Sequence, residues 1–448
     1  VREFKRDVLA GHIDELSSSD RIDLLRLSVP RVARSELPDC EWSEKGPLRA
    51  QNATLPNIEK ITEVMGIRVR RNMSTHVVEC DFHEPELNML IDTDLTGMVH
   101  TMVRDQALMV GIKSEGSVSD RLNTLSARMQ FSPVTEWVRQ AQWDGVSRFN
   151  DLLATLTCKP DSAAMAPIYV RRWLVQVMQA MHNWQGDPKA IEHVLVLNGP
   201  QGCGKTTWFA SLLPPHFFTR GVYLDLGKGT GGDRDAIRKA TATPLVELGE
   251  LETSFSKSEK GHQKNFLSQT TDTYRMSYGH SEVTFPRTTA FGATVNVNDF
   301  LDDPTGSRRM WVLAVLKCDA FHGIDMQQLW AEVYTWWAAG EQFHLEPAED
   351  ERRNVLSTQF SYVSPVAELV EQWMSTHVDT ASEPMNTTRF LREIGVPANN
   401  SNKRACHDAL SSCLGPPRKH GTLKNSWLIP IHEGLAYMQA VKSAKVDN

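Results

Sequence analysis

The sequence predicts a mixed α/β fold built around a glycine-rich loop, and three stretches of the chain carry that prediction. The first is an apolar run, residues 193–198, that leads through a glycine-rich loop into a helical segment. The second is an apolar strand with carboxylates at residues 243–251, and the third is a strand that ends in Asn296. Strands that alternate with helices are typical of a parallel sheet covered by helices.

The glycine-rich loop has the spacing Gly-x-x-x-x-Gly-Lys-Thr between a strand and a helix. Glycines let successive backbone N–H groups turn toward the phosphates, and the start of the helix adds partial positive charge. Lys205 can reach the terminal phosphates, and the Thr206 hydroxyl is placed to bind Mg²⁺. The alternative is a glycine-rich turn that binds nothing, but the order strand, loop, helix favours a nucleotide. The predicted nucleotide-binding residues are Gly199, Pro200, Gln201, Gly202, Cys203, Gly204, Lys205, Thr206 and Thr207.

Length and composition describe a globular chain of several domains. With 448 residues, 41% hydrophobic and 23% charged, about two to four domains are expected. No apolar run reaches the ~18–20 residues that span a membrane, and no signal peptide is present. Because the sequence starts at Val1-Arg2 without methionine, we expect a fragment of a longer chain or a processed product.

The net charge and the cysteine content further limit the class of protein that this sequence can encode. The net charge of −7 argues against a surface covered in basic patches, although nucleic acid can still bind in a local groove or channel. The 7 cysteines include no Cys-x-x-Cys pair, which makes a zinc site or a disulfide framework improbable. A reducing cytoplasm fits this pattern.

Carboxylates follow the apolar strand beyond the loop. A P-loop enzyme needs one acid beside the Mg²⁺ and another that orients or deprotonates the attacking water. We assign Glu247 to the metal, together with Thr206, and Glu250 to the water. The two roles could be exchanged, and a strand end with surface glutamates is the plainer interpretation.

Three further features follow in the chain. Residues 273–285 predict a β-hairpin with a Gly279-His280-Ser281 tip. Asn296 can hold the hydrolytic water or the γ-phosphate, or simply cap the next turn. Arg308 and Arg309 precede another strand. Arginine pairs are common on surfaces, but near a nucleotide a guanidinium suits the neutralisation of charge on phosphate.

We therefore expect three parts. Residues 1–130 form a helical N-terminal collar for oligomerisation, with strand-like pieces at 67–70 and 77–80 between the helical patterns. Residues 131–363 form the P-loop ATPase core with a leading helical segment that includes an amphipathic helix at 168–184. Residues 364–448 contain helical patterns, a basic turn at 418–421 and an apolar strand near 426–429. This pattern predicts a winged-helix-like domain, a type that serves in DNA contact or in protein docking.

Together these motifs resemble the virulence-associated protein E family, whose ATPase is related to the superfamily three helicases of phages, satellites and small DNA viruses. The resemblance covers residues 130–345 well. It rests on motifs that occur in the family's order: Trp143-Asp144-Gly145, Gly199–Thr206, Glu247-x-x-Glu250, Asp272-x-x-Arg275-x-x-Tyr278, Thr294-Val295-Asn296 and Thr305-Gly306-x-Arg308-Arg309.

The resemblance implies an AAA+ core that uses ATP and Mg²⁺, forms a ring of identical subunits, expected to be a hexamer, and translocates on single-stranded or forked DNA. It also implies an upstream primase domain or partner. By position, Glu247 and Glu250 resemble the Walker B acids, Asn296 the sensor 1 residue, and Arg308 or Arg309 the arginine finger. The hairpin tip resembles the DNA-gripping hairpin, but a Gly279-His280 pair replaces the family's common Lys-His. The DNA contacts implied are Lys264, Arg275, Tyr278, Gly279 and His280.

The sequence thus predicts an ATP-dependent DNA helicase of a phage or mobile genetic element that works in the cytoplasm of a bacterial host. One alternative is an AAA+ regulator or loader that remodels a protein partner. Another is an initiator ATPase that binds an origin without unwinding it. Translocation polarity, ring size and the choice between the two arginines stay open at this level.

Overall fold

The computed structural model describes residues 16–91, 94–113, 115–222, 237, 240–249, 265–275, 282–296, 300–301, 307–360, 364–377 and 382–431. They fall into two compact units, one drawn from residues 1–297 and 308–354 and the other from residues 298–307 and 355–448. Among these described residues, no helix is both long enough and apolar enough to cross a membrane.

The secondary structure alternates between helices and strands. The strands are β1 (Trp42–Ser43), β2 (Gly46–Pro47), β3 (Ile67–Asn72), β4 (Val78–Phe82), β5 (Gln130–Phe131), β6 (Leu156–Cys158), β7 (Val194–Asn198), β8 (Phe218–Val222), β9 (Leu245–Leu248), β10 (Thr271–Arg275), β11 (Glu282–Pro286), β12 (Ala290–Val295), β13 (Met310–Cys318), β14 (Ser382–Asn386), β15 (Arg418–His420) and β16 (Leu423–Pro430). The helices are α1 (Ser18–Ser28), α2 (Leu55–Val64), α3 (Pro85–Asn88), α4 (Leu95–Met109), α5 (Glu115–Ser126), α6 (Pro133–Arg139), α7 (Phe149–Ala154), α8 (Pro160–Ala163), α9 (Ala166–His182), α10 (Lys205–Ser211), α11 (Met326–Ala338), α12 (Pro347–Ser357), α13 (Pro365–Thr376), α14 (Thr387–Glu393) and α15 (Asn400–Leu414).

A six-stranded mixed sheet in the order β6-β13-β7-β12-β9-β8 forms the centre of the first unit. Its strands pair in parallel except β6, which runs antiparallel to β13. Every residue of β7 and β9 is buried, as expected for strands that helices cover on both faces. The predicted strands before the loop, at the acids and before Asn296 are confirmed, and so is the amphipathic helix, which is α9.

The N-terminal part requires a correction, because it is not the helical domain that we expected. It contains a three-stranded sheet in the order β4-β3-β5. In β3 the alternation of Ile67 and Val69 with arginines buries the apolar side chains on one face, which is the period of a strand. Helices α2, α4 and α5 add to one hydrophobic cluster that extends from Leu25 to Leu125. The prediction of an oligomerisation role is untested.

The predicted β-hairpin is confirmed in its two strands. Strands β10 and β11 pair antiparallel from Thr271 opposite Pro286 to Arg275 opposite Glu282. The predicted tip, residues 279–281, lies outside the described residues. Asp272 forms a bidentate ion pair with Arg287, whose side chain is fully buried. A buried pair of this kind is costly to break, so it anchors the base of the hairpin.

The second unit contains α13, α14 and α15 and a three-stranded sheet in the order β14-β16-β15. Its own hydrophobic cluster includes Val370, Phe390, Leu410 and Ile429. The predicted helices and the apolar strand are present, whereas the segment expected as a basic turn is strand β15 over Arg418–His420, and the turn follows it at 421–422. The winged-helix-like arrangement of these elements stays a prediction, and so do the domain boundaries at residues 130 and 363.

Candidate functional site

The glycine loop, residues 199–204, connects β7 to α10 and packs against the end of β13. Gly202 and Gly204 have φ angles of 81° and 97°, which residues other than glycine rarely adopt. A Cβ atom on Gly199 would lie 2.3 Å from the Val315 carbonyl oxygen, and one on Gly204 would lie 2.3 Å from that of Cys318. Close backbone approach therefore requires glycine at both positions.

Lys205 is the first residue of α10, and its side chain turns back along the glycine loop. Its Nζ donates hydrogen bonds to the carbonyl oxygens of Gly199 at 2.6 Å and Pro200 at 2.9 Å, and to Oδ1 of Asn296 at 3.0 Å. The residue is 6% exposed. Because parallel strands end at the same edge of a sheet, β7 and β12 bring Lys205 and Asn296 together.

A second cluster forms around the carboxylate of Glu247, which is 2% exposed. Oε1 accepts hydrogen bonds from the hydroxyls of Thr206 at 2.6 Å and Thr294 at 2.8 Å. The Gly221 amide lies 3.3 Å from Oε2. Sequence reasoning did not assign a site role to Thr294. The sequence did contain a signal for such a role. Thr294 lies two residues before Asn296, and residues two apart in a strand lie on the same face.

The two predicted arginines have different surroundings. Arg308 is exposed in a short 3-10 helix, residues Ser307–Arg309. The Arg309 side chain is 11% exposed, and its Nε lies 3.2 Å from a Glu192 carboxylate oxygen. Arg309 also donates two hydrogen bonds to the Ser268 hydroxyl at 3.0 and 2.7 Å. Arg309 is therefore held within its own chain, whereas the structure exposes Arg308.

Of the residues predicted to contact DNA, Arg275 lies within the described part of the chain, as the last residue of β10, opposite Glu282. The remaining predicted side chains lie outside the described residues: Glu250, Lys264, Tyr278, Gly279 and His280. Their proposed roles in orienting water and contacting DNA stay predictions.

The Trp143-Asp144-Gly145 motif forms a turn ahead of α7. Asp144 makes a bidentate ion pair with Arg148 at 2.6 Å, and hydrogen bonds from Arg148 lower the pKa of Asp144 to about 2. The Arg148 amide in turn donates to Glu332 of α11 at 2.8 Å. The motif thus ties the segment before the sheet to a helix that follows it, and this structural role was not expected.

The donor set matches the needs of a magnesium nucleotide. Carboxylate and hydroxyl oxygens, here Glu247 and Thr206, are the ligands that Mg²⁺ prefers. An ammonium group beside a glycine loop suits phosphate oxygens, and Lys205 already lies among three oxygen acceptors. Asn296 can hold a water or a phosphate oxygen next to that ammonium group.

The fold and the site define a mixed α/β protein whose polar cluster lies at the carboxyl ends of parallel strands. The model of the virulence-associated protein E-like domain matches residues 138–362, just over half of the sequence, and the chain belongs to that family.

Other comparisons give weaker results. The structure is similar to two apo structures of the NrS-1 C-terminal region, both with a TM-score of 0.41. One is 12% identical and the match covers 78% of this chain and 85% of the other. The second is 10% identical, with 83% and 98% covered. A search of curated proteins finds no match. Family membership therefore rests on the family model.

Proposed function

We propose that this protein is an ATP-dependent DNA helicase that acts in the replication of a phage or mobile genetic element. The observation that carries the proposal is the meeting of Lys205, Asn296, Thr206 and Glu247 at one edge of the sheet. In this proposal the core is an AAA+ ATPase and ATP is bound between neighbouring subunits of a hexameric ring. Membership of the virulence-associated protein E-like family supports the assignment to this replication system.

The chain's own residues have distinct tasks in this mechanism. Bound Mg-ATP supplies the phosphoanhydride whose cleavage drives movement. The glycine loop and Lys205 hold the terminal phosphates, and Thr206 with Glu247 holds the metal. Asn296 orients the attacking water or the γ-phosphate, and Glu250 accepts a proton from that water. The β10–β11 hairpin carries the motion to one DNA strand.

Strand displacement on a forked duplex tests this function directly. With Mg²⁺ and ATP, we expect the protein to release the labelled strand and single-stranded DNA to stimulate ATP hydrolysis several-fold. Lys205→Ala is the matched control for the chemistry. DNA-independent hydrolysis without displacement would instead indicate a regulator or loader of proteins. Origin binding without displacement would indicate an initiator.

The two acids can be separated by amide substitutions. Glu250→Gln should keep ATP binding and ring formation but slow hydrolysis by roughly 10²–10⁴, because the water loses its base. Glu247→Gln should instead weaken Mg²⁺-dependent binding, since its carboxylate adjoins the Thr206 hydroxyl. Binding and turnover of ATP are measured on both variants. A trapped ATP complex in Glu247→Gln with near-normal Glu250→Gln would reverse the roles.

Substitutions in the β10–β11 hairpin test whether this hairpin contacts DNA. Arg275→Ala combined with His280→Ala should reduce unwinding and DNA stimulation while leaving basal ATP hydrolysis unchanged. Loss of phosphate contacts also makes the salt dependence of DNA binding shallower. Arg128→Ala is a control, because this exposed arginine pairs with Glu59 in the N-terminal part. If the double variant unwinds at the normal rate, the hairpin is not on the DNA path.

A further inference from the structure

Two cysteines meet where the glycine loop packs on the end of β13. The Cys318 amide donates a hydrogen bond to the Cys203 carbonyl oxygen at 2.7 Å, so the two residues are direct neighbours in space. Disulfides span Cα separations of about 4.4–6.8 Å, which requires two residues that lie side by side. The backbone hydrogen bond from Cys318 to Cys203 places the two residues in that relation.

The two thiols differ in access and in their neighbours. Cys203 is partly exposed, whereas Cys318 is buried. The Lys205 ammonium group lies 3.8 Å from the Cys203 sulfur, where a cation stabilises negative charge that develops during nucleophilic attack. Burial raises the pKa of Cys318 to about 12, so this residue stays a protonated thiol at neutral pH. An oxidant in solution therefore reacts with Cys203 before it reacts with Cys318.

We propose that Cys203 and Cys318 are an oxidation site, at which peroxide converts the two thiols into a reversible disulfide that locks the glycine loop. In the first step the Cys203 sulfur attacks hydrogen peroxide, the O–O bond breaks, the thiol proton passes to the departing oxygen, and Cys203 becomes a sulfenic acid as the first water leaves. In the second step the Cys318 sulfur attacks the Cys203 sulfur while its proton passes to the departing hydroxyl group, the S–O bond breaks, and the second water leaves. Two thiols lose two electrons, and one peroxide is reduced to two waters.

The bond changes the glycine loop because it shortens the distance between the sulfurs. A disulfide has an S–S length of about 2.05 Å, well below the separation of two sulfurs that are not bonded to each other. Closing it draws Cys203 toward β13 and fixes the loop next to Lys205. A displacement of about 1 Å in a positioned group can cost 10²-fold in activity. The predicted loss of nucleotide binding rests on the proposed function, whereas the formation of the bond does not.

Neighbouring cysteines provide internal controls. Cys158 lies on β6, whose partner strand β13 carries Cys318, and burial raises the pKa of Cys158 to about 11. Cys413 is an exposed thiol in the second unit. Exposure alone would make Cys413 the first residue to be oxidised. Selective loss of Cys203 and Cys318 thiols would instead reflect their pairing.

The full chain is treated with hydrogen peroxide, free thiols are alkylated, and disulfides are mapped by mass spectrometry. We expect a peptide pair that joins Cys203 to Cys318, reversible by dithiothreitol, and slower hydrogen exchange of residues 199–207. Cys413→Ser should give the same linkage. Cys203→Ser and Cys318→Ala should each abolish it, and circular dichroism checks that both fold.

Binding of a fluorescent ATP analogue is then measured on the same samples. Oxidised wild-type protein should bind about tenfold more weakly or worse, and dithiothreitol should restore binding. Oxidised Cys318→Ala should bind as before treatment. Absence of the linkage overturns the proposal, and so does a linkage that leaves exchange of the loop unchanged. Reduced protein that binds no nucleotide overturns the proposed function instead, while the mass and exchange data still decide the oxidation site.

Discussion

Lys205→Ala is expected to abolish ATP hydrolysis and to remove most of the affinity for nucleotide. Its ammonium group lies beside the glycine loop among the oxygens of Gly199, Pro200 and Asn296, where no other described cation can replace it. The helix and the sheet do not depend on this side chain for apolar packing, so the protein should stay folded. Turnover, nucleotide binding and thermal unfolding by circular dichroism are measured together.

Lys189→Ala is the matched control for that experiment. Lys189 is an exposed lysine whose Nζ lies 3.1 Å from a carboxylate oxygen of Asp187. It precedes β7, the strand that leads into the glycine loop, by a few residues. Exposed pairs contribute little to stability, so this variant should keep normal turnover. Wild-type hydrolysis in Lys205→Ala would remove the glycine loop from the active site.

Arg308→Ala is expected to leave nucleotide binding nearly intact and to lower turnover by roughly 10³–10⁵, the usual contribution of a supplied arginine to phosphoryl transfer. A single chain brings Lys205, Asn296, Thr206 and Glu247 together, so we expect it to hold the proposed ligand without help. An additional cation beside the γ-phosphate would then come from a neighbouring subunit. Arg308 is exposed and suits that task.

Mixing variants tests whether the arginine acts between subunits. A mixture of Arg308→Ala and Lys205→Ala should regain part of the ATPase activity, because some interfaces contain an intact loop and an intact arginine. If mixed rings form and no activity returns, an arginine acting in trans is not supported. Full activity in Arg308→Ala alone would reject the assignment.

Arg309→Ala is the matched comparison. Arg309 is bound to Glu192 and Ser268 of its own chain, and its removal leaves the Glu192 carboxylate without this cation. We therefore expect a lower unfolding temperature rather than a loss that mixing can restore. A stable Arg309→Ala protein that mixing rescues would transfer the role from Arg308 to Arg309.

Local pattern was enough to predict the strands and helices that build the site. Strand β7, the glycine loop and α10 follow from apolar runs and glycine spacing, both of which are short-range signals. In the N-terminal part the strand-like pieces at 67–70 and 77–80 were recognised and are β3 and β4, but β5 was missed, because β3 pairs with it across a long stretch of chain. Pairing over such a distance leaves no local trace in a sequence.

The role of the hairpin base was missed for a similar reason. The sequence marks Asp272 as part of a motif, but its partner Arg287 follows β11 on the other side of the hairpin. Only antiparallel pairing brings the two side chains into contact. Thr294 is the opposite case, because the strand period alone places it on the same face as Asn296.

The sequence alone determined the α/β class, the glycine loop and the lysine, threonine, glutamate and asparagine positions of the polar cluster, since short-range spacing encodes each of them. The tertiary structure decided that Glu247 contacts Thr206, that Arg309 is held within its own chain while Arg308 is exposed, and that Cys203 meets Cys318. These decisions depend on which strands become neighbours in the sheet. That order results from the packing of the whole chain, because the central strands β7, β9 and β12 are all short, apolar and almost fully buried, so local sequence does not distinguish their neighbours.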